Sequence, residues 1–119
     1  MKFKHEVIFC IVNSGFSDAV MDTAKEYGAR GGTVIHGRGT ANSEAEKLYQ
    51  ITVQPEKEIV MILIPTELKD TILHALYRSV GLNSPGQGIA FSMPVESVVG
   101  LSLPKPAEAP TDAESPTEA

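Results

Sequence analysis

Apolar positions along the chain fall into four short runs and two stripes of helical spacing. Residues 5–12, reading H-E-V-I-F-C-I-V, are almost continuously apolar and β-branched, the pattern of a central strand. Asn13-Ser14-Gly15 is a turn signal. Ser17 is placed to cap a helix, with Asp18 in its first turn. Val20, Ala24 and Tyr27 then recur at i, i+4 and i+7, one helical face, and Gly28 is the residue that ends such a helix. Thr33-Val34-Ile35 opens a second strand. Residues 36–55 are mostly polar, a length that is usually functional or mobile, and 48–53 can extend as strand to form one arm of a long hairpin. Residues 58–64, E-I-V-M-I-L-I, are a buried strand. Pro65-Thr66-Glu67 stops it and caps a second helix, on which Leu68, Ile72, Ala75, Leu76 and Ser79 or Val80 share a face until Gly81 closes it. Residues 82–88 form a glycine-containing loop, 89–93 a fourth strand ended by Pro94, and 95–103 a short strand or turn.

The order β-α-β-β-α-β is that of the ferredoxin-like fold, an α+β class with a four-stranded antiparallel sheet and both helices on one face. The strands are apolar almost throughout, so the second sheet face also needs cover. One chain of 119 residues has no further layer to supply it, and self-association is the simplest remedy. Residues 1–103 therefore read as one domain. Residues 104–119 carry four prolines among Ala, Glu, Ser and Thr, a composition that buries no core and predicts a disordered acidic tail.

Charge sharpens this division. The net charge is −5. The tail contributes −3 of it, through Glu108, Asp112, Glu114 and Glu118 against Lys105, leaving −2 for the remainder. With no basic stripe, nucleic acid is not an expected partner. The single cysteine, Cys10, excludes an intramolecular disulfide and a cysteine metal cluster, and its apolar surroundings predict a buried, inert thiol. No apolar run reaches the roughly 18 residues of a membrane span. The opening residues lack the apolar core and cleavage site of a signal peptide, so a cytoplasmic location is expected, with any membrane recruitment left to a partner.

Candidate chemistry centres on residues 28–40, G-A-R-G-G-T-V-I-H-G-R-G-T, where five of thirteen residues are glycine. Glycine allows close backbone approach and positive φ. Exposed N–H groups beside Arg30 and Arg38 suit an anion cradle; two tight turns around one strand explain the same residues equally well. Gly31-Gly32-Thr33 and Pro85-Gly86-Gln87-Gly88 each follow a helix, which suggests two glycine loops near one sheet end. Arg38, between Gly37 and Gly39, is placed to wrap a ligand. Lys57, in P-E-K-E, can reach a phosphate as a point charge, with Glu56 and Glu58 tuning it. His36, with an acid such as Glu44, offers a weaker metal alternative. No residues form a nucleophile–base arrangement, so no enzyme is expected. A phosphorylated-substrate enzyme using Arg38 as clamp ranks last.

These stretches, G-A-R-G-G-T-V-I-H-G-R-G, E-K-E-I-V-M-I-L-I-P, P-G-Q-G-I-A-F and P-V-E-S-V-V-G-L, together resemble the PII signalling superfamily, in particular its PII-like branch, over residues 5–103. The resemblance implies a homotrimer of ferredoxin-like protomers that binds an adenine nucleotide, ADP or ATP with magnesium uncertain, in clefts between subunits. It implies that a T-loop, here residues 37–55, regulates a target such as a transporter or metabolic enzyme. It implies a B-loop at 82–88 that wraps phosphates with backbone amides, and a segment at 95–103 that completes the neighbouring cleft. By position it assigns Gly32, Thr33, Gly37, Arg38, Gly39, Lys57, Ile64, Gly86, Gln87 and Gly88 to the nucleotide site, and His36, Pro85 and Ile89 beside them complete the candidate nucleotide-binding residues. The chain departs from classical members at Ile89, where they carry a basic residue. It departs again in V-V-G-L-S, where they carry paired arginines. A trimeric metal- or small-anion-binding protein of the same fold is the alternative.

Overall fold

The structure is a computed structural model that describes residues 3–40 and 56–101. The elements follow the order β1 (His5–Asn13), α1 (Ser17–Glu26), β2 (Thr33–Arg38), β3 (Glu56–Pro65), a 3₁₀ turn (Thr66–Leu68), α2 (Lys69–Val80) and β4 (Ile89–Val95). The sheet runs β2-β3-β1-β4, every neighbouring pair antiparallel. This is the predicted ferredoxin-like topology. The hairpin arm expected at 48–53 and the tail at 104–119 lie outside the described residues.

Alternation along the strands decides what is buried. On β1, Glu6, Ile8, Cys10 and Val12 face the helices; on β3, Glu58, Val60, Ile62 and Ile64 do so. They close on Val20 and Ala24 of α1 and on Ile72, Leu76 and Val80 of α2, forming one continuous core. The opposite face is as apolar, and among the described residues no element covers it. There Val7, Phe9 and Ile11 lie between Leu63, Met61 and Ile59 on one side and Met93, Phe91 and Ile89 on the other. Ile35 extends the row onto β2. Ile89, Phe91 and Met93 are 55%, 44% and 46% exposed, a contiguous apolar area of the kind that marks an interaction surface. Phe9 and Phe91 stack across it with ring centroids 5.5 Å apart.

Several boundaries differ from expectation. β2 continues through Arg38, because His36, Gly37 and Arg38 pair with Glu58, Lys57 and Glu56; Gly37 and Arg38 are strand residues rather than loop residues. β4 runs through Pro94 to Val95, which an edge strand permits because proline lacks only a donor. Residues 96–101 form no strand. Ser17 does not cap α1 with its side chain. Phe16 is the N-cap residue, and the donor at Ser17 is satisfied from a neighbouring strand, as described below.

Candidate functional site

Four segments meet at one end of the sheet: the end of β1, the end of β2, the start of β3 and the 82–88 loop. Asn13 joins three of them. It is the last residue of β1, only 5% exposed, and lies opposite Lys57 in the register. Its backbone N–H donates to the Gly86 carbonyl at 2.9 Å. Its carboxamide Nδ2 donates to the Pro85 carbonyl at 3.0 Å and, at 3.4 Å, to Gln87 Oε1. Its Oδ1 accepts a 2.7 Å hydrogen bond from Lys57 Nζ. A lysine ammonium has no acceptor, so this contact also settles which amide atom faces it.

Lys57 points to the bare sheet face. Glu56 and Glu58, its chain neighbours, point to the other face because side chains alternate along a strand. They therefore do not pair with Lys57, and among the described residues its ammonium has no carboxylate partner. Glu58 has a different task. Its Oε1 accepts the Ser17 N–H at 3.1 Å, at the positive end of α1. Its Oε2 lies 3.9 Å from His36 Nδ1. Burial alone raises its pKa; hydrogen bonds from the Ser17 hydroxyl and from the Gly15 and Ser17 N–H groups, with His36 nearby, outweigh burial and hold the carboxyl below its ordinary value.

The 82–88 loop is tightly built. The N–H groups of Ser84, Gln87 and Gly88 already donate to the carbonyls of Gly81, Ser84 and Val80. Gln87 adopts φ 49°, the left-handed region that a residue with a side chain rarely takes. Gly88 is required by packing, since a Cβ there would collide with the Val80 carbonyl and lie 2.9 Å from Val12 Cγ1. In this conformation several amides brace the loop, and polar side chains stand around it.

The predicted residues fall into two groups. His36, Gly37, Arg38, Lys57, Pro85, Gly86, Gln87, Gly88 and Ile89 lie at the Asn13 end of the sheet, with Gly39 following Arg38 directly. Gly32, Thr33 and Ile64 lie elsewhere. Thr33 pairs with Met61, four residues along β3 from Lys57, about 14 Å at the strand rise. Ile64 is seven residues from Lys57, about 23 Å, fully buried beneath the helices. The expectation that the Gly31-Gly32-Thr33 turn and residues 85–88 share a sheet end is therefore wrong within a protomer. α1 returns the chain toward the end where β1 began, so β2 starts opposite Met61, midway along β3, and only its last residues lie at the same end of the sheet as the 82–88 loop. Gly32 is needed there for contact, because a Cβ would sit 2.9 Å from both the Met61 carbonyl and Met21 Sδ.

His36 is 78% exposed at its side chain; its suggested metal partner Glu44 lies outside the described residues. Among those described, no three His, Cys, Asp or Glu side chains converge on a common metal position. Cys10 is buried, and desolvation pushes its thiol up to about 11. No helix among the described residues is long and apolar enough to cross a membrane. Asn13 was not legible as more than a turn residue; a lone polar residue closing a continuous apolar strand is the signal that marks it.

No protein-family model matches the sequence, and no curated protein does so either. The fold does have matches among solved structures. Arabidopsis thaliana PII bound to citrate superposes with a TM-score of 0.63 at 20% identity, over 84% of this chain and 82% of that one. The fold is that of PII proteins. The Bacillus subtilis GlnK–ATP complex shares the PII fold with a TM-score of 0.61 at 15% identity, over 85% and 90%. A functionally unknown protein from Pediococcus pentosaceus gives 0.55 at 15% identity, over 79% and 94%. At these identities the agreement with the PII proteins is one of chain path and not of site residues.

Proposed function

We propose that this protein is a non-catalytic, PII-like sensor that assembles as a homotrimer through its bare sheet face. It binds an adenine nucleotide, ADP or ATP, in clefts between protomers, and regulates a partner protein through residues 37–55. The observation that carries the reading is the end of the sheet where Lys57, without a carboxylate partner among the described residues, stands beside Asn13, Gln87 and the braced 82–88 loop in a PII fold. An ammonium whose recorded partner is an uncharged carboxamide oxygen is open to donate a charge-assisted hydrogen bond to an anion. The ATP of the B. subtilis GlnK complex and the citrate of Arabidopsis PII are both polyanions.

Trimer formation supports the site as well as the core. Gly32 and Thr33 stand midway along β3 and Ile64 near its far end, so the first two join a cleft with Lys57 only where a second protomer brings that part of its sheet alongside. Buried Ile64 then acts by shaping the cleft wall. The test is a thermal-shift series with ATP, ADP, AMP, cyclic AMP and 2-oxoglutarate, with and without magnesium. A ligand that binds only the native state at about 100 times its Kd stabilises it by about 2.7 kcal/mol. A clear shift with one nucleotide supports the sensor and names its signal; silence from every nucleotide removes it.

A further inference from the structure

We propose that Asn13 is a positioning residue that holds the Lys57 ammonium over the 82–88 loop, because its one carboxamide accepts from Lys57 while donating to Pro85 and Gln87. The inference rests on the nucleotide reading above and names the residue that sets the geometry of that site.

The chemistry singles out asparagine. Its oxygen accepts from Lys57 Nζ at 2.7 Å, and its nitrogen donates to the Pro85 carbonyl at 3.0 Å and to Gln87 Oε1 at 3.4 Å. Only a carboxamide offers an acceptor and two donors on one short planar group. Aspartate fits the space but donates nothing to Pro85 or Gln87, and it neutralises Lys57. Glutamine adds a methylene where 5% exposure leaves no room. Burial makes the arrangement strict, since an unmatched polar atom is costly in such a place. Asn13 also sits on rigid structure. It pairs with Lys57 across two central strands, and its own N–H fixes the Gly86 carbonyl at 2.9 Å. The lysine stem is flexible and rich in rotamers; one short hydrogen bond to a buried, immobile oxygen gives its ammonium a single place beside the loop. Lys57 is therefore ordered before the anion arrives, which reduces the ordering cost of binding.

The experiment is calorimetric titration with ADP of the full chain and of Asn13→Ala, Lys57→Met, the double variant and Asn13→Asp. Lys57→Met and Asn13→Ala are each expected to weaken ADP binding about tenfold, the scale of one charge-assisted hydrogen bond. The double variant is expected to bind as Lys57→Met does, within about threefold, because Asn13 acts through Lys57. Asn13→Asp keeps the shape and tests charge alone. It is expected to lose about tenfold and to flatten the salt dependence of binding to that of Lys57→Met, which a purely structural role would not change. Additive losses in the double variant, or Asn13→Asp binding with wild-type affinity and salt dependence, overturn the inference and leave the nucleotide reading standing. A wild-type protein that does not bind ADP overturns both.

Discussion

Glu58→Gln is the substitution whose consequence follows most directly from the geometry. The Glu58 carboxylate accepts the Ser17 N–H at 3.1 Å and is further bonded by the Ser17 hydroxyl and the Gly15 N–H. It thus replaces the side-chain cap that α1 lacks at Phe16. Glutamine keeps the size but removes the charge at the positive end of the helix and turns half of the acceptor into a donor facing other donors. Loss of a cap costs about 1 kcal/mol and loss of the dipole interaction up to about as much again, so the variant is expected to be about 1–2 kcal/mol less stable. For a domain of this size each kcal/mol lowers Tm by about 4–8 °C. The pH dependence carries the sharper test. The folded-state pKa lies below the ordinary 4.5, so the unfolded chain binds the proton more readily and the stabilisation is present in full above the unfolded value. It is lost as pH falls through the depressed folded value. Calorimetric scans at fixed protein concentration are expected to show a constant gap between wild type and Glu58→Gln near neutrality that narrows below pH 4.5. A gap of the same size at every pH, or no gap at neutrality, would refute the capping argument.

Other residues give independent checks. Phe91→Glu places a charge on the bare sheet face and is expected to convert a trimer to monomers in sedimentation velocity, with little loss of monomer helicity; an unchanged sedimentation coefficient would count against that face as the interface. Gly88→Ala drives a methyl group into the Val80 carbonyl and Val12 and is expected to cost about 2–4 kcal/mol in urea unfolding. Cys10, with its thiol pushed up to about 11, is expected to react with a thiol reagent at pH 8 only at the rate of global unfolding.

The fold was legible because its signals were local and agreed with one another. The apolar run of β1, the i, i+4, i+7 stripe of α1 and the E-I-V-M-I-L-I strand each name their own structure, and only one common topology fits their order. The site was legible only in part. Gly37, Arg38, Lys57 and residues 85–89 do gather at one sheet end, but Gly31-Gly32-Thr33 does not join them. Both glycine turns follow helices, and the motif alone does not say that the helices run in opposite directions. Glu58 looked like a modulator of Lys57 because it is adjacent in sequence; alternation along β3 sends it to the helix side, to Ser17 and His36. Asn13 depends on partners 44 to 74 residues away, and no local pattern encodes a carboxamide that satisfies three such partners at once.

The central claim is that protomers assemble through the bare sheet face and hold a nucleotide at the clefts so formed. Native mass spectrometry of the full chain with and without ADP tests both halves in one spectrum. The account predicts a trimer that takes up as many as three ADP molecules, and loss of both assembly and uptake in Phe91→Glu. A monomer that binds ADP, or a trimer that binds none, would contradict it.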